Sequence, residues 1–220
     1  RIVLSIMIIA IDGPAASGKS ITAKKVAKKL DFLHLNTGSM YRAVTLYFLN
    51  LNVNLNNESE IISALDKICI SFDSMDTNKI LLNEENVSDL IRSDLVNAKV
   101  SVVSAIKSVR EKLVIQQREL ALDNDVVMEG RDIGSYVFPN AQYKFYLTAD
   151  VEIRAKRRYE ENKLSHIDYK KVLFDLKKRD KIDKSRKYSP LVISDEAIII
   201  DTTFLSIEEQ VEKIIKIINK

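Results

Sequence analysis

The string Gly13-Pro14-Ala15-Ala16-Ser17-Gly18-Lys19-Ser20 fits the pattern G-x-x-x-x-G-K-[ST] and stands between an apolar run and a segment of helical period. That context weighs more than the pattern, because a phosphate-binding loop works only at a strand-to-helix turn. Gly13 and Gly18 let backbone N–H groups turn inward around an anion, and the positive end of the following helix dipole adds to the attraction. Lys19 supplies a full charge able to bridge the β and γ phosphates of a triphosphate, and the Ser20 hydroxyl can take one position around Mg²⁺. The stretch from Gly13 to Ile21 is therefore expected to bind a nucleoside triphosphate, and it demands an α/β fold around it.

The rest of the chain supplies that fold. Ile6–Ile11, Phe32–Leu35, Val126–Met128, Tyr143–Leu147 and Ala197–Ile200 are short apolar runs, most without alternation, as in strands buried on both faces. Between them lie helical periods. Ala23, Val26, Ala27 and Leu30 mark one face and Lys24, Lys25, Lys28 and Lys29 the other, while a last helix carries the capping pair Ser206 and Glu209 before the stripe Ile207, Val211, Ile214, Ile215 and Ile218. The expected architecture is a five-stranded parallel sheet flanked by helices. Ile68–Phe72 and Lys79–Leu82 flank the turn-rich Asp73–Asn78 and predict an antiparallel hairpin, a small insert at 61–98 within a core of 1–60 and 99–220. The Asn-rich stretch Leu49–Asn57 reads as a surface loop.

Composition narrows the function. With 46% apolar and 30% charged residues among 220, the chain is an ordinary globular one and neither disordered nor fibrous. Cys69 is the single cysteine, so no intramolecular disulfide forms and a reducing compartment, the cytoplasm, is expected. Ile2–Ile11 lacks a signal-peptide cleavage site and is too short to span a membrane, and Met7 is a plausible native start. The net charge of +3 conceals a basic segment, Val151–Lys187, with 14 Lys and Arg against 7 Asp and Glu. A local anion is its natural partner; a solvated helical face is the alternative.

The same loop would serve a guanine-nucleotide switch, but no [NT]-K-x-D follows an apolar strand. Asp180-Lys181-Ile182-Asp183 has Asp where Asn or Thr is needed. Instead, Arg42 and Arg131 follow the ends of predicted strands. In an open parallel sheet such loops share one crevice, so both should converge beside the phosphate loop and hold a second anion there. Surface ion pairs are the competing reading of each.

Taken together, the phosphate loop with Ile11-Asp12 before it, Thr37-Gly38-Ser39-Met40-Tyr41-Arg42, Gly130-Arg131-Asp132-Ile133-Gly134-Ser135-Tyr136-Val137-Phe138-Pro139, Arg179-Asp180 through Arg186, Ser189-Pro190-Leu191 and Ile200-Asp201-Thr202-Thr203 resemble the bacterial cytidylate kinases. The resemblance covers nearly the whole chain. It implies transfer of the γ-phosphoryl group of ATP·Mg²⁺ to CMP or dCMP, giving CDP or dCDP. It makes the hairpin a monophosphate-binding insert and 151–190 a helical lid. It places Ser101, Arg110 and Asp132 on cytosine, where Asp132 would accept from the exocyclic amine that uracil lacks. Thr37 and Tyr41 would lie in the same pocket, Arg179 and Asp183 on the ribose, and Arg42, Arg131 and Arg186 on the monophosphate. Arg157 and Arg158 would cover the transferring group with Lys19 and Arg131. For Asp132 a loop cap or a partner of Arg131 is the plainer role, for Ser101 a helix-surface serine, for Arg110 a helix ion pair.

Two departures from the family pattern involve three positions. Ile182 and Lys184 stand where some relatives have arginine, which lowers the charge of the lid. Glu129 stands where some have Asp; it is the candidate for a water-mediated carboxylate near Mg²⁺, or else a buried structural partner. The acceptor phosphate is already anionic, so no general base is expected and His34 and His166 read as ordinary histidines. A kinase for another small acceptor, such as a shikimate-like metabolite, is the neighbouring hypothesis. A nucleotide-binding regulator or RNA-binding module is a more distant one, disfavoured by the lack of an aromatic-rich basic stretch. No nucleic acid or membrane partner is expected. A monomer is expected because no long apolar edge stands out in the sequence.

Overall fold

The structure, a computed structural model, describes residues 6–73, 76, 79–161 and 168–220. The chain runs β1 (Ile8–Asp12), α1 (Lys19–Leu30), β2 (Leu33–Asn36), α2 (Thr37–Asn50), α3 (Glu58–Leu65), β3 (Ile70–Phe72), β4 (Ile80–Leu82) and β5 (Glu85–Asn86). It continues through α4 (Asp94–Val103), α5 (Lys107–Leu120), β6 (Val126–Gly130), β7 (Tyr143–Thr148), α6 (Val151–Glu161), α7 (Tyr169–Ser185), β8 (Ile198–Asp201) and α8 (Ile207–Ile218). Short helical turns stand at Leu90–Arg92 and Ile133–Val137.

Strand order in the main sheet is β2-β6-β1-β7-β8, with every neighbouring pair parallel. The expected five-stranded parallel sheet is thus present, with β1 at its centre. Ile9, Ala10 and Ile11 are fully buried because helices cover both faces, α1 and α8 on one side and α5 on the other. Each large side chain buried this way contributes about 1.5–3 kcal/mol. The alternation of strand and helix turns the loops after β1, β2, β6, β7 and β8 toward the same edge. Among the described residues no helix is long and apolar enough to cross a membrane.

Three details differ from the sequence reading. The hairpin is a three-stranded sheet, β3-β4-β5, because Asn83 and Glu84 adopt positive φ (49° and 72°) and turn the chain back into the polar pair Glu85–Asn86. An exposed two-residue polar strand leaves no hydrophobic signal. Asp73 and Asp76 of the expected turn are described; Ser74, Met75, Thr77 and Asn78, like His166 and Ile2–Ser5, lie outside the described residues. The expected limits of the insert, 61 and 98, fall inside α3 and α4, and its apolar residues Ile70, Ile80 and Leu82 share one cluster with Phe48, Val109 and Leu113. Finally, β8 is an edge strand whose Ile198 and Ile199 are 39% and 55% exposed, so its apolar run is not buried on both faces and the sheet does present a short apolar edge.

Candidate active site

The loop 13–18 crosses the carboxyl end of β1 under tight constraint. Gly13 has φ +152°, and a Cβ there would lie 2.1 Å from the Leu147 carbonyl oxygen, so only glycine fits. Gly18, at φ +88°, starts α1. Lys19 is buried, and its Nζ donates to the Pro14 carbonyl at 3.0 Å. Burial above all, then the positive charges of Arg131 and Arg179, push its ammonium well below the ordinary lysine pKa. Ser20 Oγ donates to Glu129 Oε2 at 2.6 Å. Glu129, next to last in β6, is 1% exposed, and its Oε1 lies 3.4 Å from His34 Nε2. Burial pushes that carboxyl up, but His34, Lys19 and Ser20 together hold it below the ordinary carboxylate value. His34 is therefore a neighbour of the loop rather than an unrelated histidine.

Beside the loop lies a group of arginines. Arg42, on α2, donates to the Ile91 carbonyl at 3.0 Å and to Asn97 Oδ1 at 2.7 Å, which ties it to the insert and α4. Burial, and then Arg179, Arg158 and Arg131, lower its guanidinium to about 9. Arg179 is lowered to about 10 by burial and by Arg131, with Arg158 adding to the effect, and its Nε has no hydrogen-bond partner. Arg131 Nε donates to Asp183 Oδ2 at 2.9 Å. Lys19, Arg42 and Arg179 are thus each disfavoured as cations by burial and by neighbouring positive charge, an arrangement an anion relieves.

A third group lies deeper. Arg110 and Asp132, both almost fully buried, form an ion pair across 22 residues of sequence, and Arg110 also donates to the Ser104 carbonyl at 3.1 Å. Ser104 Oγ donates to the Ser101 carbonyl, which connects α4 to the pair. The Arg110 guanidinium sits 5.3 Å from the centre of the Tyr41 ring. Burial, with Asp132 nearby, pushes the Tyr41 hydroxyl up to about 12. Ser101, Arg110, Asp132 and Tyr41 are thereby brought together.

Several residues stand differently from the expectation. Asp132 pairs with Arg110 and, at 3.5 Å, Arg186, not with Arg131. Arg186 also donates to the Ser189 carbonyl, so it lies with the deep group rather than beside Arg42. The Thr37 hydroxyl is committed to the Glu129 carbonyl at 2.8 Å. Arg157 donates to Thr202 Oγ1 and its carbonyl at 3.1 and 2.5 Å, behind the phosphate loop, since Thr202 Oγ1 in turn donates to the Ser17 carbonyl. Of the two lid arginines only Arg158 is near enough to influence Arg42 and Arg179. Asp12, part of the motif before the loop, has a role that the sequence reading did not assign. Its buried carboxylate accepts from the N–H groups of Ile133 and Gly134, each at 2.8 Å, and so fastens the Arg131-Asp132 loop to the end of β1. A charged residue closing an apolar strand was the available signal.

A family model described as cytidylate kinase matches residues 9–220. The chain belongs to the cytidylate kinase family. It is 51% identical to a cytidylate kinase of Caldanaerobacter subterraneus, covering 96% of this chain and 94% of the relative. A cytidylate kinase of Fusobacterium nucleatum is 48% identical over 97% and 98% of the two chains. Among solved structures, the shikimate kinase of Bacteroides thetaiotaomicron matches with a TM-score of 0.50 at 11% identity, covering 97% of this chain and 99% of that one. That last likeness is one of fold alone; within the fold the chain sits on the cytidylate kinase side.

Proposed function

We propose that this chain transfers the γ-phosphoryl group of ATP to the 5′-phosphate of CMP or dCMP, giving ADP and CDP or dCDP. One observation carries the reading: Lys19, buried in the donor loop, lies close enough to Arg131 and Arg179 for their positive charges to act on its ammonium. Two polyanions brought end to end would neutralise that cluster, which places the donor and acceptor phosphates where transfer can occur.

Each group has a part to play. Inward N–H groups of the loop and Lys19 hold the donor phosphates, and Arg42, Arg131, Arg158 and Arg179 hold the acceptor phosphate and the charge that develops in transfer. The acceptor oxygen attacks as an anion, so no side chain need remove a proton. Ser20 and Glu129 fit Mg²⁺: a hydroxyl and a buried carboxylate share one contact, and the second carboxylate oxygen faces only His34 Nε2, at 3.4 Å, among the described residues. When bound, the ion would neutralise phosphate charge and help orient the donor. Asp132, with Ser101 and Arg110, would read the cytosine edge; uracil would lose one hydrogen bond to a charged group, about 1.5–3 kcal/mol or roughly ten- to a hundredfold. Every residue invoked comes from one chain, so a monomer suffices. The lone exposed Cys69 suits a reducing, ATP-supplied compartment such as the cytoplasm.

The test is ADP release measured with CMP, dCMP, UMP and AMP, alongside calorimetry with each monophosphate. CMP and dCMP are expected to lead. Equal rates with all four would remove the base-reading role of Asp132, and a chain that bound ATP but no pyrimidine monophosphate would refute the proposal.

A further inference from the structure

Arg154 lies in a run of lysines and arginines and offers no sequence signal, but its surroundings are those of a bound group. It is 6% exposed and reaches three acceptors with one guanidinium. Nε donates to the Ala149 carbonyl at 2.9 Å, Nη1 to the Ala15 carbonyl at 3.2 Å and Nη2 to Asp180 Oδ2 at 2.7 Å. These belong to three segments: the start of α6, the phosphate loop and α7. Ala155, Val172 and Leu176 pack against Ala15 around the same point.

The Ala15 carbonyl is the informative partner. In a trans peptide the C=O and the following N–H point in opposite directions, so a carbonyl held outward by Arg154 sends the Ala16 N–H to the other side. Ala16 itself has φ +59°, a conformation that non-glycine residues seldom adopt without external support. Asp180 supplies the other half. It neighbours Arg179, which faces the acceptor arginines, yet sits about 100° further around α7 and turns toward the donor loop. Arg179 and Asp183, four apart, share the acceptor side, where Asp183 pairs with Arg131.

We propose that Arg154 and Asp180 are positioning residues for the donor nucleotide: Asp180 orients Arg154, and Arg154 holds the Ala15–Ala16 peptide with its N–H turned toward the phosphates. Helix α7 then serves both substrates, the acceptor through Arg179 and Asp183 and the donor through Asp180. This rests on the reading that the loop binds ATP.

The test is steady-state kinetics of the full chain carrying Asp180→Asn, Arg154→Lys, Arg154→Gln or Asp183→Asn, with calorimetry of a non-hydrolysable ATP analogue. Asp180→Asn and Arg154→Gln are expected to raise the KM for ATP and the analogue's Kd about tenfold, with the KM for CMP within about twofold, while Asp183→Asn does the reverse. Arg154→Lys should recover part of the loss. In the Asp180→Asn, Arg154→Gln double variant the effect should not exceed that of the larger single one. If Arg154→Gln fails to fold, Asp180→Asn and Arg154→Lys decide. A rise in CMP KM for Asp180→Asn, or a lower Tm with both KM values unmoved, overturns the inference. A wild-type chain that does not phosphorylate CMP instead overturns the proposed function, so the two failures are distinguishable.

Discussion

Replacing Asp12 with asparagine should change how stability depends on pH, in a direction set by the balance of forces on that carboxyl. Burial raises its pKa from 3.8 to about 7, although the Ile133 and Gly134 N–H groups, and more weakly Arg131, favour the charged form. Between those values the folded chain keeps a proton that the unfolded chain has released. Asp12 therefore contributes most at acid pH, and that contribution is lost as pH rises through about 7. At 1.36 kcal/mol per pH unit the full effect is roughly 4 kcal/mol, more than half of it between pH 5 and pH 8. Asparagine does not titrate, so the wild-type unfolding free energy minus that of Asp12→Asn should fall by about 2–3 kcal/mol between those two pH values. Urea titrations of both proteins give the comparison, and other titrating groups cancel in the difference. A constant difference, or one that grows at pH 8, would mean that the two N–H groups outweigh burial.

Lys19→Met should lower kcat by about 10²–10³, because a charge acting on the transferring phosphates is lost; a smaller loss in ADP release than tenfold would contradict that role. Asp132→Asn should reduce the preference for CMP over UMP by roughly ten- to a hundredfold in kcat/KM, and an unaltered ratio would assign Asp132 to structure alone. Gly13→Ala would press a methyl group against the Leu147 carbonyl at 2.1 Å, so at least about 3 kcal/mol of stability should disappear in thermal unfolding, with loss of ATP-analogue binding.

Much of the architecture could be read in advance because burial on both faces writes itself as unbroken apolar runs. Ile9–Ile11 and Val126–Met128 became the centre of the sheet for that reason. The same rule misled at β8, where Ile198 and Ile199 stand at an open edge, since an apolar run does not say how many faces are covered. The loop residues Gly13 to Ser20 stand out through spacing, and the residues proposed for the acceptor through resemblance alone. What sequence could not supply was pairing. That Asp132 meets Arg110 and Arg186, or that Arg157 turns to Thr202, depends on contacts between distant segments. Arg154 was invisible for a related reason: one arginine among several looks the same until its acceptors are known.

The hydrogen bond from Thr202 to the Ser17 carbonyl joins positions 185 apart. In a chain emerging from the ribosome the glycine turn comes long before the hydroxyl that backs it, which arrives only after β8 has been made. Nucleotide capture should therefore switch on late in synthesis, and a ribosome-bound chain halted before Thr202 should hold ATP far less tightly than the finished protein.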